Sequence, residues 1–247
     1  MTEAAFLAFL LIFVRCSAMF LTAPIFSSPN TPVHIRVLTA VAVSSALAVA
    51  VGPAIGTLPT DMYGLVAAVA REALAGVLLG SFVSLALQAL QIAGSFMDLQ
   101  AGLAASHVLN PLNGVQSTVL SQLKTMLGIV VFLSADGHHM LLTAFVHSYR
   151  VMPTFGQIQV SFTSLVGSIF LIALQIASPV MAVGFLVDAA LGLMTRAVPQ
   201  LNAMHVGMPA KVGAGIAAVS LGLPLTVAGV GAAVNASFSA LRPLFHL

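Results

Sequence analysis

The chain has 247 residues, of which 60% are hydrophobic and only 6% are charged. Soluble globular domains carry about 25% charged residues, so this composition excludes an ordinary soluble domain and indicates a membrane protein. The single cysteine excludes an internal disulfide and a cysteine-built metal site. A formal net charge of +2, with no basic cluster, gives no support for nucleic-acid binding.

The apolar residues lie in blocks, most of which are long enough to span a hydrocarbon core, a task that takes about 20 residues. The acidic start MTEAAFLAFL differs from the basic start of a secretory signal, so we expect the first helix to belong to the mature protein. We predict an all-α polytopic membrane protein of about six hydrophobic helices in a single domain over residues 1–247. The blocks are 4–26, 37–59, 73–97, a shorter one at 125–135, 151–187 and 212–241.

Three charged side chains lie inside otherwise apolar stretches: Arg15, Asp188 and Arg196. A charged side chain at membrane depth costs on the order of 2.5–3.5 kcal/mol on insertion scales, so each should face protein, water or a membrane interface. Asp188 and Arg196 are eight residues apart, about 12 Å along a helix, and cannot pair on a straight one. We expect each to have a partner on a neighbouring helix or subunit, unless both lie at the membrane interface.

A polar seam runs along one face of the helix predicted after residue 73. Its residues are spaced alternately three and four apart, which places them on one side of a helix. Such a seam must face other polar groups or water, so it either packs in an interface between helices or lines a conduit. The seam consists of Ser81, Ser84, Gln88, Gln91, Ser95, Asp98 and Gly102.

The segment that follows the seam is polar but uncharged and is rich in turn formers. Asn110-Pro111 and Asn113-Gly114 are strong turn signals. Between two apolar blocks, irregular backbone is tolerated where it is buried in protein or lines a water-filled cavity. An ordinary surface loop is the alternative interpretation.

A short acidic and histidine-containing turn, Asp136-Gly137-His138-His139, ends the block at 125–135. These residue types bind metals, but adjacent histidines point to different sides of a helix and no HExxH motif or second cluster completes a set. The sequence therefore favours a turn at the start of a helix, with Asp136 near the N-cap. We predict no metal and no other cofactor.

No catalytic motif is present: the sequence has no GxSxG elbow, Walker loop, kinase set or zinc motif. We therefore predict a protein without catalytic residues. A proton- or ion-coupled carrier is an alternative, because Asp98 and Asp188 on interrupted helices would suit an ion site. Against that alternative, the two halves of the chain show no convincing internal repeat.

An ordered set of motifs along the whole chain resembles the FliR family of flagellar export-gate proteins, with the injectisome family SctT as a relative. The set comprises Glu72-Ala-Leu-Ala-Gly76 with Gly80, Ala93-Gly94, Asp98-Leu-Gln100-Ala-Gly102, Gly137-His138 with Ser148 and Pro153, Asp188 through Arg196 to Pro199-Gln200-Leu-Asn202, and Gly207-Met-Pro209-Ala-Lys211.

The resemblance implies a subunit of the flagellar type III export gate in the bacterial inner membrane, at the flagellar basal body. It implies helices arranged as kinked hairpins around a path for unfolded export substrates, and FliP-, FliQ- and FlhB-like partners besides membrane lipid. An injectisome subunit of the same family is the nearest alternative.

On this interpretation, polar side chains fix contacts between helices or subunits, and the loop at 110–114 helps to close the path. The candidate contact residues are Arg15, Glu72, Gln88, Gln91, Asp98, Gln100, Asp188, Arg196, Gln200, Asn202 and Lys211. The candidate pore-closing residues are Asn110, Pro111, Asn113 and Gly114.

Overall fold

The structure is a computed structural model that describes residues 3–23, 26–27, 32–51, 61–103, 118–149, 155–198 and 203–245. Every regular element in these ranges is an α-helix, which confirms the all-α fold class. The helices are α1 (Glu3–Thr22), α2 (Val33–Val51), α3 (Met62–Gln100), α4 (Val119–Ser134), α5 (Gly137–His147), α6 (Phe155–Ala197), α7 (Ala203–Leu221) and α8 (Leu223–Phe245).

Four of the helices in the described ranges are long and apolar enough to cross a membrane. They are α1, α3, α6 and α8, and the bent pair α4–α5 makes a fifth if it is counted as one span. The helices α2 and α7 contain shorter apolar stretches. These lengths and compositions confirm a polytopic membrane protein.

Several helix boundaries differ from those that hydropathy alone predicts, among them the starts of α3 and α7. The helix α3 begins at Met62, well before the apolar block at 73, because helical geometry continues through the charged pair Arg71-Glu72. The expected last helix after Lys211 is instead two helices, and α7 begins at Ala203, so it already contains Lys211. The two are separated at Gly222, two residues before Pro224, whose ring nitrogen cannot donate a helical hydrogen bond.

Pro179 does not end the helix in which it lies. The helix α6 is 43 residues long and continues through this residue, which lies inside the apolar block at 151–187. In a helix interior, a proline removes one hydrogen bond, and neighbouring helices can compensate for that loss in an apolar environment.

The chain forms two compact units, each assembled from separate stretches of sequence. The first unit consists of 1–86, 136–166 and 234–247, and the second unit of 87–135 and 167–233. The helices α3, α6 and α8 each contribute one part to each unit. The single domain that the sequence predicts stays a prediction.

In the first unit, glycine allows α1 and α3 to approach closely. A Cβ atom at Gly76 would lie under 3.0 Å from the backbone oxygen of Arg15, and one at Gly80 would collide with Thr22 and Met19. Both glycines face α1, so this GxxxG spacing serves a contact within the chain. The side chains of Met19 and Leu79 are fully buried beside this contact.

In the second unit, α3 ends in a Schellman motif. The amide of Gly102 donates to the carbonyl of Leu99, and the amide of Leu103 donates to that of Asp98. Gly102 has a φ of +75°, the left-handed conformation that this motif requires and that glycine adopts without a steric cost. The motif ends α3 directly after Gln100 and so fixes the position of that side chain.

A Gly76→Ala substitution should destabilise the protein by about 1–3 kcal/mol, because the added methyl group forces α1 and α3 apart. The measurement is the unfolding of the purified protein in mixed micelles as the denaturing detergent is increased, followed by circular dichroism.

The matched control is Gly167→Ala on α6, where an added Cβ would meet nothing within 4 Å. This change should be neutral or stabilising by about 0.5–1 kcal/mol, since alanine favours a helix over glycine. Equal effects of the two substitutions would contradict the close contact assigned to Gly76.

Candidate functional site

In the first unit, three side chains surround the guanidinium of Arg15. The Nε atom donates to Glu72 Oε2 at 2.6 Å, and Nη1 donates to Ser148 Oγ at 2.7 Å. The guanidinium carbon lies 3.8 Å from the centroid of the Tyr149 ring. The exposed fraction of the side chain is 1% for Arg15 and 5% for Glu72. The first unit thus contains a buried ion pair between α1 and α3. Ser148 and Tyr149, which directly follow α5, contact the same guanidinium.

The Tyr149 ring presents a neutral face to this cation. Burial raises the pKa of its phenol, and this effect exceeds the opposing influence of the positive charge on Arg15. An arginine over an aromatic face gains about 2 kcal/mol when both are desolvated. The guanidinium of Arg15 is therefore contacted both at its edge, by Glu72 and Ser148, and on its face, by Tyr149.

The polar seam of α3 does not have one environment along its length. Gln88, Gln91 and Ser95 are exposed in the middle, whereas Ser81 and Ser84 are half-buried and Asp98 is fully buried. The Ser95 hydroxyl donates to the Gln91 carbonyl at 2.9 Å, within the helix. The middle of the seam is therefore a polar surface of this chain, and its C-terminal end is part of the interior.

Asp98 binds the first turn of α4. Its Oδ2 atom accepts hydrogen bonds from the amides of Leu120 at 2.9 Å and Ser121 at 3.1 Å. The first amides of a helix have no partner inside the helix, and a carboxylate there also complements the helix dipole. The Thr118 side chain makes no capping hydrogen bond, so Asp98 supplies this function from another helix. The other carboxylate oxygen of Asp98 is buried without a hydrogen-bond partner in the described ranges.

In the second unit, Asp188 on α6 is held by side chains from two other helices. Lys211 Nζ on α7 lies 2.8 Å from both carboxylate oxygens, and Gln100 Nε2 at the end of α3 donates to Oδ2 at 3.3 Å. Gly184 makes room for this arrangement, because a Cβ there would collide with the Gln100 side chain. Three of the predicted contact residues are thus brought together within one chain.

The remaining predicted residues are Arg196 and a set outside the described part of the chain. Arg196 is exposed in the last turn of α6 and has no side-chain partner among the residues whose placement is described. Gln200 and Asn202, and the predicted pore-closing residues Asn110, Pro111, Asn113 and Gly114, lie outside the described residues.

Sequence reasoning missed Lys124, which is fully buried in the second unit. Its Nζ atom donates to Thr226 Oγ1 at 2.6 Å, and the Thr226 hydroxyl donates to the Gly222 carbonyl at 3.1 Å. No carboxylate within the described part of the chain forms an ion pair with it. The signal for its burial was its spacing of four from both Leu120 and Gly128, which places it on the buried face of α4.

The turn at Asp136 differs from the predicted N-cap in one respect. Asp136 occupies the N-cap position of α5 with a φ of 55°, but its side chain makes no capping hydrogen bond. Instead its Oδ1 atom lies 3.3 Å from His139 Nδ1. The rings of His138 and His139 also do not diverge as expected, because their centroids are only 4.3 Å apart.

Taken together, the long apolar helices and the ion pairs between them define a polytopic membrane protein whose polar side chains fix helices to one another. The model of the family "Bacterial export proteins, family 1" matches residues 6–237. The chain therefore belongs to this family of bacterial export proteins.

Relatives with flagellar names and relatives with translocation names both match the chain. The flagellar biosynthetic protein FliR of Bacillus subtilis is 36% identical over 84% of this chain and 82% of the relative. The protein of the same name from Escherichia coli is 29% identical over 86% of this chain and 82% of the relative. The Yop proteins translocation protein T of Yersinia pestis is 30% identical over 83% of this chain and 81% of the relative.

Removal of one partner of the buried pair should destabilise the fold strongly. Arg15→Ala or Glu72→Ala should each cost about 3–5 kcal/mol, because the remaining charge stays buried without compensation. The double variant Arg15→Met/Glu72→Met should recover most of this loss. The measurement is detergent-induced unfolding of each purified variant.

Arg71 provides the matched control for this pair. It lies 3.8 Å from the same carboxylate, but its side chain is 65% exposed. Arg71→Ala should therefore change stability by at most about 1 kcal/mol. A loss as large as that of Arg15→Ala would show that proximity to Glu72, rather than burial, sets the effect.

The stability that Asp98 gives to the start of α4 should depend both on its acceptor oxygen and on its charge. Asp98→Ala leaves two buried amides without a partner, and the loss of a charged acceptor costs about 1.5–3 kcal/mol. Asp98→Asn retains an acceptor and should cost less. Hydrogen exchange at the amides of Leu120 and Ser121 measures the effect, and equal protection in wild type and Asp98→Ala would contradict the cap.

Proposed function

We propose that this chain is the FliR-type subunit of a flagellar type III export gate in the bacterial inner membrane, at the flagellar basal body. In this role it helps to form and to close the path for unfolded flagellar proteins. The observation that carries the proposal is the family match over residues 6–237, together with similarity to FliR proteins over most of the chain.

The lengths of the helices support assembly with other subunits. At 1.5 Å per residue, α3 and α6 are about 58 and 64 Å long, roughly twice the 30 Å of a hydrocarbon core. Large apolar side chains are exposed near both ends of these helices, among them Tyr63, Leu99, Phe162 and Leu193. A single bilayer cannot cover so long an apolar surface, and FliP- and FliQ-like subunits are the proposed cover, with an FlhB-like protein as a further partner.

The polar residues divide into two proposed roles. The first role belongs to residues that bind each other inside the chain, such as Arg15 with Glu72 and Asp188 with Lys211. These residues set the positions of the helices on which they lie. Gln88, Gln91 and Arg196, whose side chains are exposed, are proposed to contact a partner subunit or the export path. The loop at 110–114 is proposed to help close the path, because turn-rich polar backbone between apolar segments suits the lining of a cavity.

A subunit of an injectisome is the second candidate. The similarity to the Yersinia translocation protein favours it, at 30% identity over 83% of the chain. The higher identity to the Bacillus FliR protein favours the flagellar assignment.

The test is co-expression of the tagged chain with FliP- and FliQ-like proteins from the same genome, followed by native mass spectrometry. We expect a stable hetero-oligomer that contains this chain, and loss of motility when its gene is deleted. A chain that purifies alone would contradict the proposal. Ion transport by the chain alone in proteoliposomes, abolished by Asp98→Asn, would establish the carrier instead.

A charge exchange tests the role of the pair within this assembly. Asp188→Lys and Lys211→Asp each place like charges together, so each single variant should lose assembly and motility. The double variant restores an opposite pair between α6 and α7 and should recover both. Normal motility in either single variant would show that the ion pair is not required for assembly or export.

A further inference from the structure

The turn between α4 and α5 brings together three side chains that bind metals. One oxygen of Asp136 and one ring nitrogen each from His138 and His139 all lie within 4.8 Å of one another. The positive φ of Asp136 places its carboxylate over the first turn of α5, where Oδ1 lies 3.3 Å from His139 Nδ1. All three residues belong to the first unit.

The two imidazole rings have an unusual arrangement for adjacent residues. Neighbouring helical positions are about 100° apart around the axis, which normally separates their side chains. Here the ring centroids are 4.3 Å apart with an interplanar angle of 34°. The two rings therefore lie on the same side of the turn, where both can reach one ion.

One ring nitrogen of His138 lacks a partner among the described residues. The Nδ1 atom of His138 is buried and has no hydrogen-bond partner among the described residues. A buried nitrogen of this kind is expected to bind a hydrogen-bonding group or an ion. The side chains of Asp136 and His139, in contrast, are 73% and 70% exposed, so solvent leaves them room to adjust.

We propose that Asp136, His138 and His139 form a binding site for a divalent transition-metal ion of the zinc type. Two imidazole nitrogens and one carboxylate oxygen suit zinc, nickel or copper rather than magnesium or calcium, which prefer oxygen ligands alone. Tetrahedral zinc with bonds near 2.1 Å needs ligand atoms about 3.4 Å apart, and rotation of the two exposed side chains can supply that adjustment.

Three protein ligands leave one coordination position open. Water or a group from a partner protein would fill it. The charge of Asp136 offsets the repulsion between a cation and the N-terminus of α5. A bound ion would fix the left-handed turn at Asp136 to the first turn of α5.

The test uses the full chain in detergent, purified through a tag without histidine and treated with a chelator. Isothermal titration with zinc chloride should show one saturable site per chain, and magnesium chloride should show none. Addition of Co²⁺ should produce the visible absorption bands of a tetrahedral site. His139→Ala and Asp136→Asn should each weaken zinc binding about tenfold or more, and both positions are exposed enough for the fold to persist.

His34→Ala is the matched control, because His34 is an exposed histidine on α2, outside the cluster. Its zinc affinity should equal that of the wild type. Absence of saturable zinc binding, or binding that His139→Ala and Asp136→Asn leave unchanged, would overturn the proposal. Magnesium binding at the same residues would overturn the assigned class of metal.

Discussion

A charge that is removed from water needs a partner, and in a chain with so few charged residues that partner must come from another helix. The buried pair of Arg15 and Glu72 meets this constraint most completely, with a serine hydroxyl and an aromatic face around the same guanidinium. An isolated buried charge costs several kcal/mol, so the pair forms only when α1 and α3 have the correct register. The ion pair therefore specifies the geometry of the first unit more than it adds to stability.

Three carboxylate residues, Glu72, Asp98 and Asp188, each lie four residues from a glycine on the same helix. In each case the carboxylate and the glycine contact the same residue or the same helical turn of a neighbouring helix. Glu72 binds the Arg15 side chain while Gly76 faces the Arg15 backbone. Gly94 faces the first turn of α4 that Asp98 caps, and Gly184 accommodates the Gln100 side chain that donates to Asp188. The glycine allows the close approach, and the carboxylate supplies a directional contact one turn away.

The prediction from sequence was more successful for the kind of element than for its limits or partners. Hydropathy predicted an all-α membrane protein, but it placed the start of α3 too late because it stopped at the charged pair Arg71-Glu72. It also missed Lys124, because a charge at the edge of a short apolar block is usually exposed. The spacing argument correctly excluded a direct pair of Asp188 with Arg196, but no periodicity could identify Lys211 as the partner of Asp188, since the two are 23 residues apart on different helices.

The sequence by itself determined that this is a membrane protein, that its fold is helical, that it contains charges which require partners, and which family it resembles. These follow from composition and local spacing, which depend only on neighbours along the chain. Only the tertiary structure decided which charges meet, that Asp98 caps a different helix, and that the adjacent histidines at 138 and 139 lie side by side rather than diverge. Those outcomes depend on contacts between helices and on backbone angles such as the φ of Asp136, which no local pattern in the sequence specifies.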